Sequence, residues 1–388
     1  MNHSIRFTHF VRDDKFTLDS IKCFEESGLT VNKWFCCRKR NEEHYHYIND
    51  NVASLTSNQA LNMVRNSADT DVIVLHSLYA LPPYITAQIH PDIKVIWFAW
   101  GFDLYSNPRP INPLISLDKK FLSLTSQALR SQNTNKVIEN HLKHWYRSVF
   151  DKTYDRRIIE QAIARIDYFA GVFQEEYDLL KSRYSFFRAK KIIHDYIHPE
   201  EFKQDDIETL ITQHGKNIML GNSATPHCNH LDILHILKQN LHDAKTQIYC
   251  PLSYQGSPKY VNKVIQEGNL LFGRQFKPMT DFLPLKDYLK IVDSCGSIVL
   301  GQMQQAATCN ILSSIWSGVK VFVPRESMNY AHYKDEGETI FAIEDINHFL
   351  EYELPYEKVL NDRRIIESLY SFRQWQCNLK ETIRIISE

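Results

Sequence analysis

The sequence predicts an α/β protein of two doubly wound, parallel-sheet domains, and three observations carry that expectation. At 388 residues the chain is too long for one ordinary core and suits two. Short runs rich in β-branched and aromatic residues alternate with amphipathic stretches, the pattern of parallel strands covered by helices on both faces. The alternation halts at a polar stretch, 199–216, carrying Glu200, Glu201, Asp205, Asp206 and Glu208, and then begins again.

In order along the chain, strands are expected at 5–11, 29–36, 71–76, 94–100 and 168–173. The stretches between them, such as 16–26 and 57–66, carry apolar residues at helical spacing. After the polar connection, strands are expected at 217–221, 246–251, 269–272, 297–300 and 319–324. Helices fall at 229–240, 258–267, 285–293 and 305–317, the last closed by Gly318. One long amphipathic helix is expected from 363 to 386, with Ile365, Leu369, Phe372, Leu379, Ile383 and Ile386 on its apolar face. The implied domains are 1–198, 199–360 and a C-terminal helix, 361–388, packing back toward the first.

Composition narrows the class. Hydrophobic residues make up 43% and charged residues 23%, as in a globular protein, and the net charge of −1 gives no global attraction for nucleic acid. Cys23, Cys36, Cys37, Cys228, Cys250, Cys295, Cys309 and Cys377 form no C-x-x-C pair and are expected as reduced thiols of a cytosolic chain. The N-terminus leads straight into a strand without a signal-peptide pattern. No apolar run approaches the roughly 18–20 residues that span a bilayer, so membrane contact is expected to be peripheral.

In doubly wound sheets, ligands lie at the carboxyl ends of the strands. In the second half the expected post-strand loops are Gly221-Asn222-Ser223, Pro251-Leu252-Ser253-Tyr254, Gly273-Arg274-Gln275-Phe276 and Gly301-Gln302-Met303-Gln304-Gln305. The last opens a helix whose free N–H groups suit a pyrophosphate near 304–308. Tight-turn chemistry alone is the competing explanation for any one of these loops. No G-x-G-x-x-G follows a strand, which argues against a nicotinamide-dependent oxidoreductase.

Several motifs resemble the 4-acetamido-4,6-dideoxy-galactose (Fuc4NAc) transferases of glycosyltransferase family 56. They are Trp97-Phe98-Ala99-Trp100-Gly101-Phe102-Asp103-Leu104-Tyr105, Gly221-Asn222-Ser223 with Asn229-His230, Pro251 through Tyr254, Gln304-Gln305 and Arg325-Glu326, in order across most of 70–335. The resemblance implies a GT-B fold, α/β with two Rossmann-like domains facing across a cleft. It also implies transfer of a deoxy-amino sugar from a dTDP-type nucleotide diphosphate to a polyprenyl-diphosphate-linked saccharide. The setting it implies is assembly of the enterobacterial common antigen kind, at the inner leaflet of the cytoplasmic membrane. The alternatives are a transferase using another nucleotide sugar and a capsule or O-antigen intermediate, and an inactive sugar-nucleotide-binding scaffold. Many retaining GT-B enzymes place two glutamates eight residues apart on the last helix; here the equivalent places hold Gln305 and Ser313.

For donor binding the candidates are Asn222, Ser223, Ser253, Tyr254, Gln304, Gln305, Thr308 and Glu326, where Glu326 could instead pair with Arg325. Asp103, after a very apolar strand, is the candidate general base for the acceptor hydroxyl; an N-cap or turn carboxylate is the other reading. His76, ending the neighbouring strand, could bind acceptor or share that role, or be a hydrogen-bonded structural histidine. No cofactor or metal is expected. Asp69-Thr70-Asp71 precedes its strand, away from the ligand rim, and His44/His46 and His227/His230 lack a third ligand at suitable spacing. The segment 106–157 is the candidate membrane contact. There Phe121, Leu122, Trp145, Tyr146 and Phe150 interleave with Lys119, Lys120, Arg130, Lys143, Arg147 and other cations. A helical excursion with a solvated basic face is the alternative.

Overall fold

The computed structural model describes residues 5–14, 16–37, 45–48, 51–105, 113–117, 119–132, 155–193 and 215–388. The chain divides into two compact units. One comprises Met1–Ser116, Asn140–His198 and Tyr370–Glu388, the other Leu117–Glu139 and Pro199–Leu369.

The first unit holds a wholly parallel sheet in the order β3-β2-β1-β4-β5-β6-β7. Its strands are β1 (Arg6–Val11), β2 (Val31–Cys37), β3 (Ala53–Leu55), β4 (Val72–Leu75), β5 (Lys94–Phe98), β6 (Tyr168–Ala170) and β7 (Lys190–Lys191). Strand β4, Val-Ile-Val-Leu, is buried at every position, as a central strand covered on both faces requires. The strands missed from sequence, β3 and β7, are edge strands of three and two residues, too short to show a period. Phe7, Phe24, Trp34 and Phe98 form one side of the core, and Trp375 of the helix Phe372–Ser387 meets Phe24 edge-on at 5.1 Å.

The second unit is a parallel sheet in the order β10-β9-β8-β11-β12-β13. The strands are β8 (Asn217–Leu220), β9 (Ile248–Pro251), β10 (Phe276–Met279), β11 (Cys295–Val299), β12 (Lys320–Val323) and β13 (Phe341–Ala342). The expected strand at 269–272 is the end of a helix, Pro258–Phe272. Tyr260, Val264, Gly268 and Phe272 are its buried stripe at i+4 spacing, whereas Leu270 is 79% exposed. Gly268 lets β10 close on this helix, because a Cβ there would lie 2.4 Å from the Phe276 ring. Gly273-Arg274-Gln275-Phe276 consequently lies at the amino end of β10 and is removed from the ligand rim.

Two further expectations change. The helix expected at 363–386 is two helices, Tyr356–Tyr370 and Phe372–Ser387, broken at Ser371, whose side chain caps the second by accepting from Gln374 N–H at 3.2 Å. The first belongs to the second unit and the second to the first. The segment 106–157 is also divided: helix Ser123–Gln132 packs on the second unit's helices His230–Asn240 and Pro258–Phe272. Lys136, Lys143, Trp145, Tyr146, Arg147 and Phe150 lie outside the described residues, as do His44 and most of the polar connection. Among the described residues, no helix is long and apolar enough to cross a membrane. The eight cysteines are free thiols.

The second unit contains a buried acid just before β13. Glu338 is 2% exposed, and neither carboxylate oxygen has a hydrogen-bond partner. Burial, followed by the negative charges of Glu336 and Asp362, pushes it up to about 8. The folded state therefore holds this proton while the unfolded chain loses it, so stability falls as pH rises from the ordinary carboxyl range to about 8 and levels off above. Glu338→Gln removes that dependence. Melting curves should show the variant above wild type at pH about 8.5, with the gap closing near pH 4.5. A gap independent of pH would mean that Glu338 is not a buried acid.

Candidate functional site

Each sheet reverses its winding between two neighbouring strands, β1/β4 in the first unit and β8/β11 in the second. Loops leave such a pair in opposite directions and open a crevice at the carboxyl end.

In the second unit, two loops bound the crevice. After β8 comes Gly221 at φ 72°, where a Cβ would stand 2.9 Å from His230 Nε2, so the loop folds tightly over that ring. Asn222 and Ser223 follow. After β11 come Gly301 and Gln302, and Gln302 Nε2 donates to Asn222 Oδ1 at 2.8 Å, joining the loops, while also reaching Cys228 Sγ at 3.3 Å. Asn229, fully buried at φ 50°, donates through Nδ2 to Gly301 O at 2.7 Å. Gln305 Nε2 donates to Thr308 Oγ1 at 2.8 Å, and Thr308 opens helix Thr308–Trp316. Burial is the largest single effect on the Cys228 thiol and raises it, but the charge of His230 and the hydrogen bonds around the thiol together bring it down to about 7.

The same two loops and the turn after the first of them hold buried polar atoms without a protein partner: His227 Nδ1, Gln302 Oε1 and Gln304 Oε1. Buried groups of this kind are nearly always paired in folded proteins, so their concentration beside a helix start marks a place for a ligand or water. Asn222, Ser223, Gln304, Gln305 and Thr308 are expected here from sequence; Asn229 and Gln302 stand in the quoted motifs without a role, and Cys228 is missed. The signal for Gln302 was its place in the quoted loop; nothing local distinguishes Cys228 from a core thiol. Ser253 and Tyr254 follow β9, both exposed, with Tyr254 O accepting from Ala224 N–H at 2.9 Å. Glu326, after β12, pairs with Lys119 at 3.4 Å, whereas Arg325 pairs with Asp345.

The first unit's crevice is a depression lined by Arg12, Asp14, Phe16, Thr17, Ser20, His76, Trp100 and Phe102. Phe16 stacks on Trp100 at 5.3 Å and the Arg12 guanidinium lies 4.8 Å over Phe102. Sequence reasoning found His76 but passed over Arg12 and Asp14, which the same post-strand rule would have picked after β1. His76 Nε2 is 3.0 Å from His9 Nδ1, and His9 Nε2 is 3.1 Å from Asn32 Oδ1. Burial brings His9 down to about 3, so it is neutral. An amide oxygen can only accept, so His9 carries its proton on Nε2 and accepts at Nδ1. His76 therefore donates from Nε2, which leaves Nδ1 as its basic nitrogen.

Asp103 is not a carboxylate raised toward a cleft. It is 1% exposed and accepts from Ser77 Oγ at 2.8 Å, Leu78 N–H at 3.1 Å, Trp97 Nε1 at 3.1 Å and Trp100 N–H at 3.2 Å. Burial raises it to about 6 against the pull of these donors. With both oxygens occupied, it ties the loop after β4 to the loop after β5 and to helix Gly101–Tyr105, which is the turn-carboxylate role. Asp71 is likewise structural, paired with Arg6 at 2.6 Å. Among the described residues, no group of three His, Cys, Asp or Glu is placed to hold a metal. Asp103→Asn would turn its N–H₂ to the Ser77 hydroxyl, which would have to accept, and would weaken the bonds from Leu78, Trp97 and Trp100 to a neutral acceptor, costing about 1–3 kcal/mol of stability. The expected result is a melting temperature several degrees lower, with turnover of the folded fraction within a few-fold of wild type. An unchanged melt with a hundredfold loss of turnover would restore Asp103 as the base.

A family model described as 4-alpha-L-fucosyltransferase, glycosyl transferase group 56, matches residues 156–360, more than half of the chain. No curated protein matches by sequence. Among solved structures, Anabaena Alr3699/HepE in complex with UDP and glucose is similar at a TM-score of 0.62 and 12% identity, covering 98% of this chain and 100% of that one. AviGT4, a glycosyltransferase involved in avilamycin A biosynthesis, gives 0.56 and 11% over 99% and 98%. The apo lipopolysaccharide outer core galactosyltransferase WaaB gives 0.57 and 9% over 99% of each chain. At these identities the structures establish the fold, GT-B, and the family match establishes the class of reaction. The chain belongs to glycosyltransferase family 56.

Proposed function

We propose that this glycosyltransferase moves a deoxy-amino sugar of the Fuc4NAc type from a dTDP-type nucleotide diphosphate to a polyprenyl-diphosphate-linked saccharide. The setting is surface-glycan assembly of the enterobacterial common antigen kind, on the cytoplasmic face of the membrane. The observation that carries the donor reading is the pair of joined loops at β8/β11, with unpartnered buried polar atoms beside the start of helix Thr308–Trp316. Solved neighbours of the same fold are complexes with UDP, or with UDP and glucose, which supports a nucleotide donor.

In this reading the helix N–H groups with Gln304, Gln305 and Thr308 receive the diphosphate. Asn222, Ser223 and Glu326 meet the sugar and phosphate, and the exposed Tyr254 ring with Ser253 meets the outer part of the nucleotide. His76 Nδ1 takes the acceptor hydroxyl proton. The acceptor oxygen then bonds to the anomeric carbon, and the anomeric carbon–diphosphate bond breaks with its electron pair going to the nucleotide diphosphate. No divalent ion takes part. Peripheral membrane contact is assigned to the basic segment 106–157, with Lys143 and Arg147.

Thermal shifts with dTDP, UDP and GDP on the full chain test the donor class, since a ligand that binds the folded state raises its melting point. Stabilisation by dTDP above the others is expected. A preference for UDP or GDP would favour another nucleotide sugar, and no response to any would remove the donor reading. His76→Ala should lower kcat by at least about a hundredfold with donor affinity unchanged. Activity within a few-fold of wild type would exclude His76 as the base. A strong chelator should leave turnover intact; abolition with rescue by manganese or magnesium would overturn the metal-independent mechanism.

A further inference from the structure

We propose that Lys120, supplied by a strap from the N-terminal half of the sequence, is the cation that pairs with the donor's diphosphate and holds its charge as it leaves. The inference rests on the reading of the β8/β11 crevice as a nucleotide-diphosphate site.

The strap is residues 117–132, which in sequence interrupt the first sheet between β5 and β6 yet belong to the second unit. It is fixed at three places along the carboxyl ends of adjacent strands. Leu122 N–H donates to Asn229 Oδ1 at 2.8 Å, and the same Asn229 reaches Gly301 after β11. Leu124 and Thr125 N–H donate to the Asp232 carboxylate at 2.8 and 2.9 Å, so a residue of another helix caps helix Ser123–Gln132. On its other side, Lys119 reaches Glu326 after β12.

Lys120 sits between these anchors. Its neighbour Phe121 stacks on His227 at 5.0 Å, and His227 belongs to the turn Pro226–Cys228, whose Cys228 touches Asn222 and Gln302. Burial and the adjoining charge of Lys120 lower His227 to about 4, and burial also lowers Lys120 itself. The ammonium is thus partly withdrawn from water beside a neutral imidazole whose Nδ1 lacks a partner. A phosphate oxygen placed there gains a charge partner and a hydrogen-bond partner together, in a setting where both are stronger than in open solvent. Asn222 and Gln302 offer the crevice neutral amides, while the charge of His230 acts on the Cys228 thiol. Lys120 adds a second charge, and charge is what a departing diphosphate accumulates.

Lys120→Met keeps the apolar stem and removes the charge; Lys120→Arg keeps the charge. Calorimetric titrations of wild type and both variants with dTDP and thymidine, in lipid-free buffer, read the effect. The expected outcome is a loss of about tenfold to a hundredfold in dTDP affinity for Lys120→Met, with thymidine affinity unchanged and Lys120→Arg close to wild type. Lys259→Ala, at an exposed position on helix Pro258–Phe272, should bind dTDP as wild type does. Equal dTDP affinity in Lys120→Met and wild type would overturn the inference while leaving the donor reading intact. If wild type binds neither ligand nor UDP or GDP, both fall. Loss of thymidine binding along with dTDP in Lys120→Met would give the strap a packing role only, and would also overturn it.

Discussion

Asn229 is fully buried, held in the left-handed backbone region, and uses both ends of its amide on elements far away in sequence. Its oxygen accepts from the strap at Leu122 and its nitrogen donates to the loop after β11 at Gly301. A Cβ at 301 would come within 2.3 Å of Cys228 O, so the clamp works only because the facing residue is glycine. From this contact the rest of the crevice follows. Gln302, next to Gly301, is brought into range of Asn222, which joins the two loops. A buried amide with two geometrically exacting partners fixes one arrangement where apolar packing would tolerate several.

Much of the architecture was legible because central strands of a parallel sheet are buried on both faces and so spell themselves as short apolar runs. Strands β1, β4, β5, β8 and β12 were found for that reason. The run ending Leu270-Leu271-Phe272 spells itself the same way and is helical, because Tyr260, Val264 and Gly268 extend the helical stripe into it. Composition over four residues cannot separate these cases, whereas the i+4 spacing over fifteen can. The division at Ser371 was hidden for a related reason, since two helices joined at a single serine cap keep nearly the same apolar period.

At the site, post-strand position proved the strongest guide and residue chemistry a weaker one. Asp103 drew attention as an acid in a tryptophan-rich motif, but the tryptophan indole and backbone N–H groups around it are what consume its lone pairs. His76 was found by position, while the His9–Asn32 relay that fixes its tautomer joins residues from three strands or strand ends and leaves no local trace. Lys119 and Lys120 read as membrane-facing because basic and aromatic residues alternate around them. Glu326, which pairs with Lys119, and His227, on which the neighbouring Phe121 stacks, lie more than a hundred positions away in sequence.

The interleaving of the two units also bears on how the chain matures during synthesis. Trp375 and Leu379, which complete one side of the first unit's core, are synthesised after the second unit's 199–369 stretch, so the first unit cannot finish folding before that stretch has been made. The strap has the opposite timing: Leu122 emerges 107 residues before Asn229, and must stay available until its clamp has been made. Vectorial, domain-by-domain folding, the usual course for multidomain chains, is therefore closed to this protein.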